Sequence, residues 1–540
     1  MCIVSSLDRL ASASVVFFGP HGDVTQHAQQ RGVSRQCLYR QADTVLRDLD
    51  PTPHQQEIAR LKQLLAEQQA QLRQCHDQLR QAVVIDADKQ AQFATVSQAE
   101  GVSLPLAHCL LHILLKERTP SVPQLGRWSK DAARQASATL EVLDEFSRPL
   151  VKDAALDELF VGRKPILMTV ELGSLTWVAG QLSKSRDGDA WAEQLRLLPA
   201  LPFVNRDAGT GLDAGIARVN AFRVAQGQRP LDDQDDHFHL LREATRALRR
   251  LQGQVSRGID KAEKADSKRA KVARQGRNQS GTAKVAARAW REAEAAFARW
   301  SAADDAWKRV RQEALPLFTP SGQLNTRAKA EAVLAEVLPA LDGPEWAKVR
   351  RLLKRPGYFT FLDRVASELA ALPAAVQGQG DTETRLPGPV AAELVQAAVE
   401  VEGAKRCPEA SNGTGPSAQA CGAVVLVAAV MLALAKDSGA KTLALVRTVL
   451  RRGWRASSAV EGLNSIVRMH QGRHRRLTQG LLDLKRLNWN CRPFRTGKRN
   501  KQTPYGLLGL KLPTTDWWQL LKIPPEQLRQ QLLSAQQLPF

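Results

Sequence analysis

Three short segments with the composition of β-strands follow one another between residues 154 and 182, in a chain that elsewhere has mostly helical periodicity. They read AALDELFVG, PILMTVEL and SLTWVAGQL, and turn-forming residues separate them. Apolar runs of this length between turn residues are typical of strands. A helical segment near 189–197 and a fourth strand-like run, PALPFVNRD, follow. The sequence therefore predicts three antiparallel strands, a helix and one further strand.

Residues 23–49 have the pattern of a helix-turn-helix unit. Gly32 lies in the predicted turn, and Ser34 is a predicted N-cap of the second helix. The start of that helix carries four residues of the kinds that contact phosphates and base edges in a major groove: Arg35, Gln36, Tyr39 and Arg40. A short helical hairpin without DNA-binding activity has the same pattern, so this interpretation remains an expectation.

Two further helical regions precede the strands. From Gln55 to Gln81, apolar residues fall near heptad spacing, which predicts a coiled coil, a linker helix or a helix packed on its own domain. They are Ile58, Leu61, Leu65, Leu72 and Leu79. Between 104 and 146, the segments Val122–Trp128 and Lys130–Leu143 predict a second helix-turn-helix-like unit.

The composition indicates a polyanionic partner. Among 540 residues, 76 Lys and Arg face 55 Asp and Glu, a net charge of +21, which favours nucleic acid. The seven cysteines form no C-x-x-C pair, as expected in a reducing cytosol. The longest apolar stretch, Gly422–Ala435, is shorter than the roughly 20 residues of a membrane span and predicts a buried helix. We therefore expect a cytoplasmic, nucleoid-associated protein without membrane contact.

Three acidic residues stand where a metal-dependent phosphodiester site would need them. Such chemistry uses two divalent cations about 4 Å apart, and these hard cations bind carboxylates. Asp157 lies in the first predicted strand, Asp207 ends the fourth, and Glu461 lies on a late helix. On that helix, a polar stripe falls at helical spacing. Its members are Ser457, Glu461, Asn464, Ser465 and Arg468.

Four stretches of the chain resemble the DDE transposases of bacterial insertion sequences, which share a fold with retroviral integrases. They are ALDELFVGRKPILMTVE, FVNRDAGTGL, DHFH and SSAVEGLNSIVR. The first two are similar to the family's first hairpin and fourth strand, and the last to the helix that supplies the third acid. DHFH, with Asp236 and His239, is similar to an Asp/Cys-x-x-His signature of several such families.

This resemblance implies an α/β ribonuclease H-like catalytic core with a large all-α insertion, preceded by an all-α helix-turn-helix region. It implies that Asp157, Asp207 and Glu461 hold two Mg²⁺ or Mn²⁺ ions and cut DNA at transposon ends before strand transfer into a target. Four residues are implied as supporting: Asp236, His239, Asn464 and Arg468. The implied partners are double-stranded DNA and further copies of the chain, as a homodimer or higher oligomer.

The residues leave alternatives open at each acid. Glu158 beside Asp157 would point to the other face of a strand and is an alternative ligand, as is Glu171. Asp207 alone would also suit a turn cap before Gly209. Glu461 alone would also suit a solvated helix face. Two rival functions are a regulator whose catalytic core has decayed and a polyanion-binding protein without chemistry.

Seven regions are expected along the chain. They are a helix-turn-helix domain (1–52), a linker helix or short coiled coil (53–90), a second helical unit (91–150), the first part of the core (151–240), an all-α insertion (241–449), the last acidic helix with a basic segment (450–510) and a C-terminal tail (511–540). Within the insertion, a run of basic residues suits contact with a DNA backbone. It includes Lys261, Lys264, Lys268, Arg269 and Lys271.

Overall fold

The computed structural model describes residues 5–81, 85–377, 386–406, 416–471 and 477–537. The chain divides into two compact units, Met1–Asp86 and Ala87–Phe540. Both are rich in helix, and the second also contains one mixed sheet of five strands. An α/β core accompanied by helical regions is therefore present, as the sequence predicted. No described helix has the length and apolar character needed to cross a membrane.

The first unit contains a three-helix arrangement followed by one long helix. Its helices are Ser6–Phe18, Asp23–Gln30, Arg35–Leu49 and Pro51–Gln81. Ser34 caps the third helix by accepting a hydrogen bond from the backbone N–H of Cys37. Leu38, Ala42 and Val45 recur at helical spacing and are buried, and this face packs against the first helix. The two helices expected from the sequence are present, with an additional helix before them.

The sheet lies near the middle of the second unit. Its strands are β1 (Asp153–Val161), β2 (Lys164–Glu171), β3 (Trp177–Leu182), β4 (Phe203–Arg206) and β5 (Asp232–Asp235). In the order β3-β2-β1-β4-β5, the first three strands are antiparallel, whereas β4 and β5 run parallel to β1. Helix Gly188–Arg196 precedes β4, and helix Thr210–Ala225 follows it. These helices provide the crossovers that parallel strands require.

Both faces of the sheet are covered because side chains of β1 alternate between two apolar clusters. Ala154 and Leu156 pack with the helices that flank β4. Ala155 and Leu159 pack instead with Val460 of helix Ser458–Gln471. Strand β1 is therefore the central, doubly buried strand, and Asp157 lies on the face that this late helix covers.

Strand β5 was not predicted, since its sequence DDQD contains no apolar residue. Ion pairs replace apolar packing there. Buried Arg206 of β4 contacts Asp233 and lies 3.0 Å from Asp235, and Arg355 lies 2.9 Å from Asp235. The strand is stabilised by charge pairing that hydrophobic periodicity does not reveal.

A helical layer formed by both ends of the second unit packs beside the sheet. The predicted turn near residue 129 is wrong, because Val122–Ser147 is one continuous helix. The segment expected as a tail contributes Leu520, Leu528 and Leu532 to the core of this layer. The helices of the layer are Ala87–Ala99, Leu104–Leu115, Val122–Ser147, Gln479–Cys491, Pro504–Leu508, Trp517–Lys522 and Pro525–Gln537.

The expected all-α insertion is helical throughout its described elements. It opens with two long helices that pack along each other, His237–Arg274 and Ser280–Arg309. The further helices are Arg327–Val337, Ala347–Leu353, Thr360–Gln377, Gly388–Ala404, Pro416–Leu434 and Lys436–Arg451. The prediction of a buried helix over Gly422–Ala435 is wrong. Ala428 is buried, but Leu426 is 67% and Leu434 77% exposed, so only one side of this helix packs.

A buried ion pair joins the insertion to the sheet. Arg364 donates to Oδ1 of Asp153 at 2.5 Å, and both side chains are 5% exposed. The guanidinium of Arg364 also lies 4.3 Å from the ring centre of Phe203. Arg452 and Trp454 donate to the other oxygen of Asp153. One carboxylate at the start of β1 therefore binds both the insertion, through Arg364, and the segment that follows it, through Arg452 and Trp454.

We predict that Arg364→Ala lowers the free energy of unfolding by about 3 kcal/mol, because it leaves the buried Asp153 carboxylate short of a partner. Urea denaturation measures the change. Arg350→Ala is the matched control, since Arg350 pairs with Asp342, which is 78% exposed, and such surface pairs contribute roughly 0–1 kcal/mol. Equal losses in the two variants would show that the buried pair is no more important than a surface pair.

Candidate active site

Three aspartates form a row across β1, β4 and β5: Asp157 lies in the middle of β1, whereas Asp207 and Asp236 directly follow the carboxyl ends of β4 and β5. Leu156 pairs with Arg206, which pairs in turn with Asp235. The next residues along the three parallel strands are Asp157, Asp207 and Asp236. Neighbouring strands lie about 4.8 Å apart. The expected placement of Asp157 beside Asp207 is thus reproduced in the register, and Asp236 continues the row.

The choice between Asp157 and Glu158 follows from strand alternation. Glu158 points to the opposite face, where its carboxylate accepts hydrogen bonds from Arg186 at 2.8 Å and from Trp191 at 3.3 Å. Asp157 lies on the face covered by helix Ser458–Gln471, together with Ala155. Only Asp157 therefore faces the helix that carries the third acid.

The polar residues of helix Ser458–Gln471 differ in their burial. Asn464 is fully buried, and its Nδ2 donates to Oδ2 of Asp157 at 2.6 Å. Glu461 lies in the first turn, and its side chain is 24% exposed. Arg468, which is half-exposed, places Nη1 3.6 Å from Oε2 of Glu461. The helix therefore contacts Asp157 with an amide and leaves Glu461 and Arg468 near the surface.

Asp157 is held in an environment that disfavours its charge. Burial, together with the nearby carboxylates of Glu461 and Asp207, raises the pKa of Asp157 to about 7. The backbone N–H of Glu158, which donates to Oδ1, and the charge of His239 act in the opposite direction. The three predicted acids are therefore close enough for their charges to interact. A concentration of negative charge of this kind is stabilised by a cation.

Asp236 joins the two points at which the insertion leaves and rejoins the core. Its carboxylate accepts from the backbone N–H of Ser457 at 3.2 Å and from the Ser457 hydroxyl at 2.7 Å. It also accepts from the N–H of Phe238 and from Nδ1 of His239, both at 2.8 Å. Burial raises the pKa of Asp236, but these hydrogen bonds outweigh burial and hold the pKa below its usual value. Asp236 is therefore a charged anchor and not a free ligand.

His239 carries positive charge toward the acidic row. Its hydrogen bond to Asp236 raises the pKa of the imidazole, burial lowers it, and the charges of Asp236 and Asp207 raise it. The net shift of the His239 pKa is upward, which favours the imidazolium over the neutral ring. The predicted supporting pair, Asp236 and His239, is thus brought together beside Asp207.

The alternatives left open by the sequence have clear positions. Glu171 pairs in register with Ala154 at the other end of β1 and accepts hydrogen bonds from the N–H and hydroxyl of Ser174. It stabilises a turn away from Asp157. Asp207 does form a turn cap, because Oδ1 accepts from the N–H of Gly209 at 3.0 Å. That role uses one oxygen, and its charge still acts on Asp157 and His239.

Asn205 is a site residue that the sequence reasoning missed. It pairs with Ala155, lies two residues before Asp207 on the same face, and is fully buried. Among the described residues, neither amide atom of Asn205 has a hydrogen-bond partner, and the same holds for Oδ1 of Asn464. Buried amides without partners are costly. The signal was available in the alternation of FVNRD, which places Asn205 and Asp207 on one face.

The donor set of the site is composed of oxygen ligands. Within the described ranges, no three His, Cys, Asp or Glu side chains are already arranged as a group that could hold a metal ion. Asp157, Asp207 and Glu461 nevertheless supply carboxylates on one face, and Oδ1 of Asn464 is an additional oxygen without a partner in the described chain. This chemistry suits a hard divalent cation such as Mg²⁺ or Mn²⁺ better than a thiophilic metal.

The predicted DNA-contacting residues lie in the first unit. Arg35, Gln36, Tyr39 and Arg40 are all exposed on the first turns of helix Arg35–Leu49. Tyr39 is 50% exposed, and Arg35 donates to the hydroxyl of Thr25 in the preceding helix at 3.3 Å. Their exposure leaves them free to contact a partner.

Comparison with known proteins adds no identification: no protein-family model, no curated protein and no solved structure matches this chain. Functional inference therefore rests on the residues and their geometry.

We predict that Asp157→Asn stabilises the metal-free protein at pH 8 by a few kcal/mol and gives a smaller gain at pH 5. A folded-state pKa of about 7, above the ordinary 3.8, means that the folded protein binds the extra proton between these values. Stability is therefore lost as pH rises from about 3.8 to about 7, and at pH 5 only part of it has been lost. The amide of Asn464 can turn its unpaired oxygen toward the new Asn. Urea denaturation with a chelator at both pH values measures the change.

Glu158→Gln is the control, because Glu158 already accepts hydrogen bonds from Arg186 and Trp191 on the opposite face. It should give no gain at pH 8. If the Asp157→Asn variant is no more stable than wild type at either pH, the pKa of Asp157 is not raised by burial and neighbouring acids.

Proposed function

We propose that this chain is a DNA transposase of the DDE type, which cuts DNA at the ends of a mobile element and joins them to a target. The observation that carries the proposal is that the charges of Asp207 and Glu461 act on Asp157, on the face of the sheet that the helix of Glu461 covers. Glu461 lies 254 positions after Asp207 in the sequence. A merely structural arrangement has no need to bring three carboxylates together at a cost in stability.

The sheet supports a ribonuclease H-like core as part of the same proposal. Three antiparallel strands, a helix and a parallel fourth strand occur in the order that the sequence predicted. The carboxyl ends of parallel strands are where ligands commonly bind in α/β sheets. Asp207 and Asp236 follow the carboxyl ends of β4 and β5, and Asp157 lies beside them in the register of β1.

In the proposed site, Asp157, Asp207 and Glu461 hold two divalent cations. When bound, such ions activate the attacking oxygen and stabilise the leaving oxygen of a phosphodiester. The chain's own residues have separate tasks. Asn464 fixes the rotamer of Asp157 through its hydrogen bond to Oδ2. Asp236 fixes Ser457, and thus the first turn that carries Glu461.

Two cations of the chain suit the approach of a DNA backbone. Arg468 is half-exposed and pairs only at 3.6 Å with Glu461, so its guanidinium is available to a phosphate beside the acids. The imidazolium of His239 adds positive charge near Asp207. In this proposal both residues bind and orient the DNA strand at the site.

The long helical pair at the start of the insertion provides a second basic surface. Lys261 pairs with Glu292, and Arg269 lies 3.5 Å from Asp266, so these two are engaged within the protein. Lys264, Lys268 and Lys271 are exposed on the same helix. We assign backbone contacts to the exposed lysines.

We predict that Asp157→Asn, Asp207→Asn and Glu461→Gln each abolish cleavage and leave DNA binding nearly unchanged, because each removes a metal ligand while keeping the side-chain shape. The assay is Mg²⁺-dependent nicking of a supercoiled plasmid that carries the genomic DNA on both sides of the gene. Gel shift with the same DNA measures binding.

Glu158→Gln and Glu171→Gln are the controls, and both should retain cleavage. If an acid variant cuts as well as wild type, that residue is not a ligand. A wild-type protein that binds this DNA without nicking it would favour a regulator with a decayed core.

We further predict that Arg35→Ala and Arg40→Ala each weaken binding to element-end DNA about tenfold, a loss typical of a base or phosphate contact at a recognition helix. Fluorescence anisotropy with full-length protein measures the affinity. Arg47→Ala removes the same charge from the last turn of the same helix and should change affinity little. Equal losses in all three variants would indicate a general charge effect and not a recognition surface.

A further inference from the structure

Helix Pro51–Gln81 is long and lacks any described side chain that is buried. Its 31 residues extend about 46 Å at 1.5 Å per residue. Four of its apolar side chains are at least half-exposed: Ile58 at 51%, Leu61 at 55%, Leu65 at 57% and Leu72 at 75%. The apolar core of the same unit consists of Ala13, Ala42 and Val45 with Val16, and it includes no residue of this helix.

A helix in this state is expected to require a partner. Isolated helices gain little stability in water, and helices in proteins depend mainly on packing of one apolar face. Leaving four large apolar side chains in water forfeits that stabilisation. The exposed residues also form one continuous seam and are not scattered.

The residues of this seam follow the heptad spacing of a coiled coil, with alternating steps of three and four residues. Ile58, Leu65 and Leu72 recur every seven residues, as residues at position a of a heptad do, and Leu61, Gln68 and Cys75 recur at position d. The run spans about two and a half heptads, with polar or small residues at most outward positions. The first of these heptads has Ile58 at position a and Leu61 at position d, the combination that favours two strands.

We propose that this seam pairs with the same seam of a second copy of the chain, in a parallel and in-register two-stranded coiled coil. Charge complementarity between the two helices supports a second copy of the chain as the partner. In a parallel pair, Glu57 at position g faces Lys62 at position e of the other copy. Glu57 is only loosely engaged within its own helix, with Arg60 at 3.6 Å.

The antiparallel alternative lacks this pairing. It would bring positions g of the two copies together, where the other residues are Leu64, Gln71 and Gln78, so Glu57 would find no opposite charge. Gln68 also favours the in-register arrangement, because only there does one polar seam residue meet its own copy.

Parallel pairing has a consequence for DNA recognition, and this consequence alone rests on the proposed function. It places both three-helix units at the same end of the coil. Two copies of helix Arg35–Leu49 would then be available to two half-sites related by twofold symmetry, as in dimeric helix-turn-helix proteins.

Cys75 provides the test, because facing d residues in a parallel in-register pair come within reach of a disulfide. Full-length protein is oxidised with copper–phenanthroline in air and examined on a non-reducing gel. We expect a covalent dimer in wild type and in Cys109→Ser, and its loss in Cys75→Ser. Cys109 is exposed in another helix, so it controls for chance collision.

Light scattering on the reduced protein gives an independent measurement. Wild type should have twice the chain mass of 59.4 kDa, and Leu65→Glu should halve the mass. Ala70→Glu adds the same charge on the outer side of the helix and should leave the dimer intact. A monomeric wild type, or a dimer that Leu65→Glu does not dissociate, would overturn the pairing. A dimer that dissociates in Leu65→Glu but never crosslinks through Cys75 would overturn the parallel register. None of these readouts requires DNA cleavage, so failure here is distinct from failure of the proposed nuclease.

Discussion

The candidate site depends on the hydrogen bonds that the carboxylate of Asp236 accepts. It is fully buried, yet the two hydrogen bonds from Ser457 and those from Phe238 and His239 keep it charged. Ser457 lies 221 positions further along the chain. The insertion therefore leaves and returns at one point, and helix Ser458–Gln471 begins beside the acidic row. This anchor, the packing of Val460 on β1 and the hydrogen bond from Asn464 to Asp157 together place Glu461 near Asp157.

The site combines a stable frame with a strained centre. Asp236 has all the hydrogen bonds that a buried carboxylate needs, whereas the pKa of Asp157 is raised to about 7 by burial and by neighbouring acids. Asn205 and Asn464 add buried amide atoms without partners in the described chain. Such costs are common where a protein must bind something, because the ligand later relieves them. The contrast between the two aspartates separates an anchor from a candidate ligand.

Much of the sheet could be predicted from the sequence, and the reasons are visible in single elements. Strands β1 to β4 contain apolar runs, so their composition revealed them. Strand β5 did not, because Arg206 and Arg355 replace apolar contacts there. The helix predicted over Gly422–Ala435 lies within Pro416–Leu434, but its predicted burial is wrong, since apolar composition alone does not reveal which side packs. Asp157, Asp207 and Glu461 came from motif resemblance, whereas their proximity depends on strand register, on the packing of the late helix against β1 and on the Asp236–Ser457 contact. The roles of these acids remain predictions.

Metal-directed cleavage of the polypeptide tests the central claim most directly. Fe²⁺ that replaces Mg²⁺ in an oxygen-ligand site generates hydroxyl radicals with ascorbate and peroxide, and these cut the backbone nearest the ion. With element-end DNA present, we expect cuts near residues 157, 207 and 461, with excess Mg²⁺ suppressing all three. Cuts that occur elsewhere, or that Mg²⁺ does not suppress, would contradict a metal site shared by these three acids.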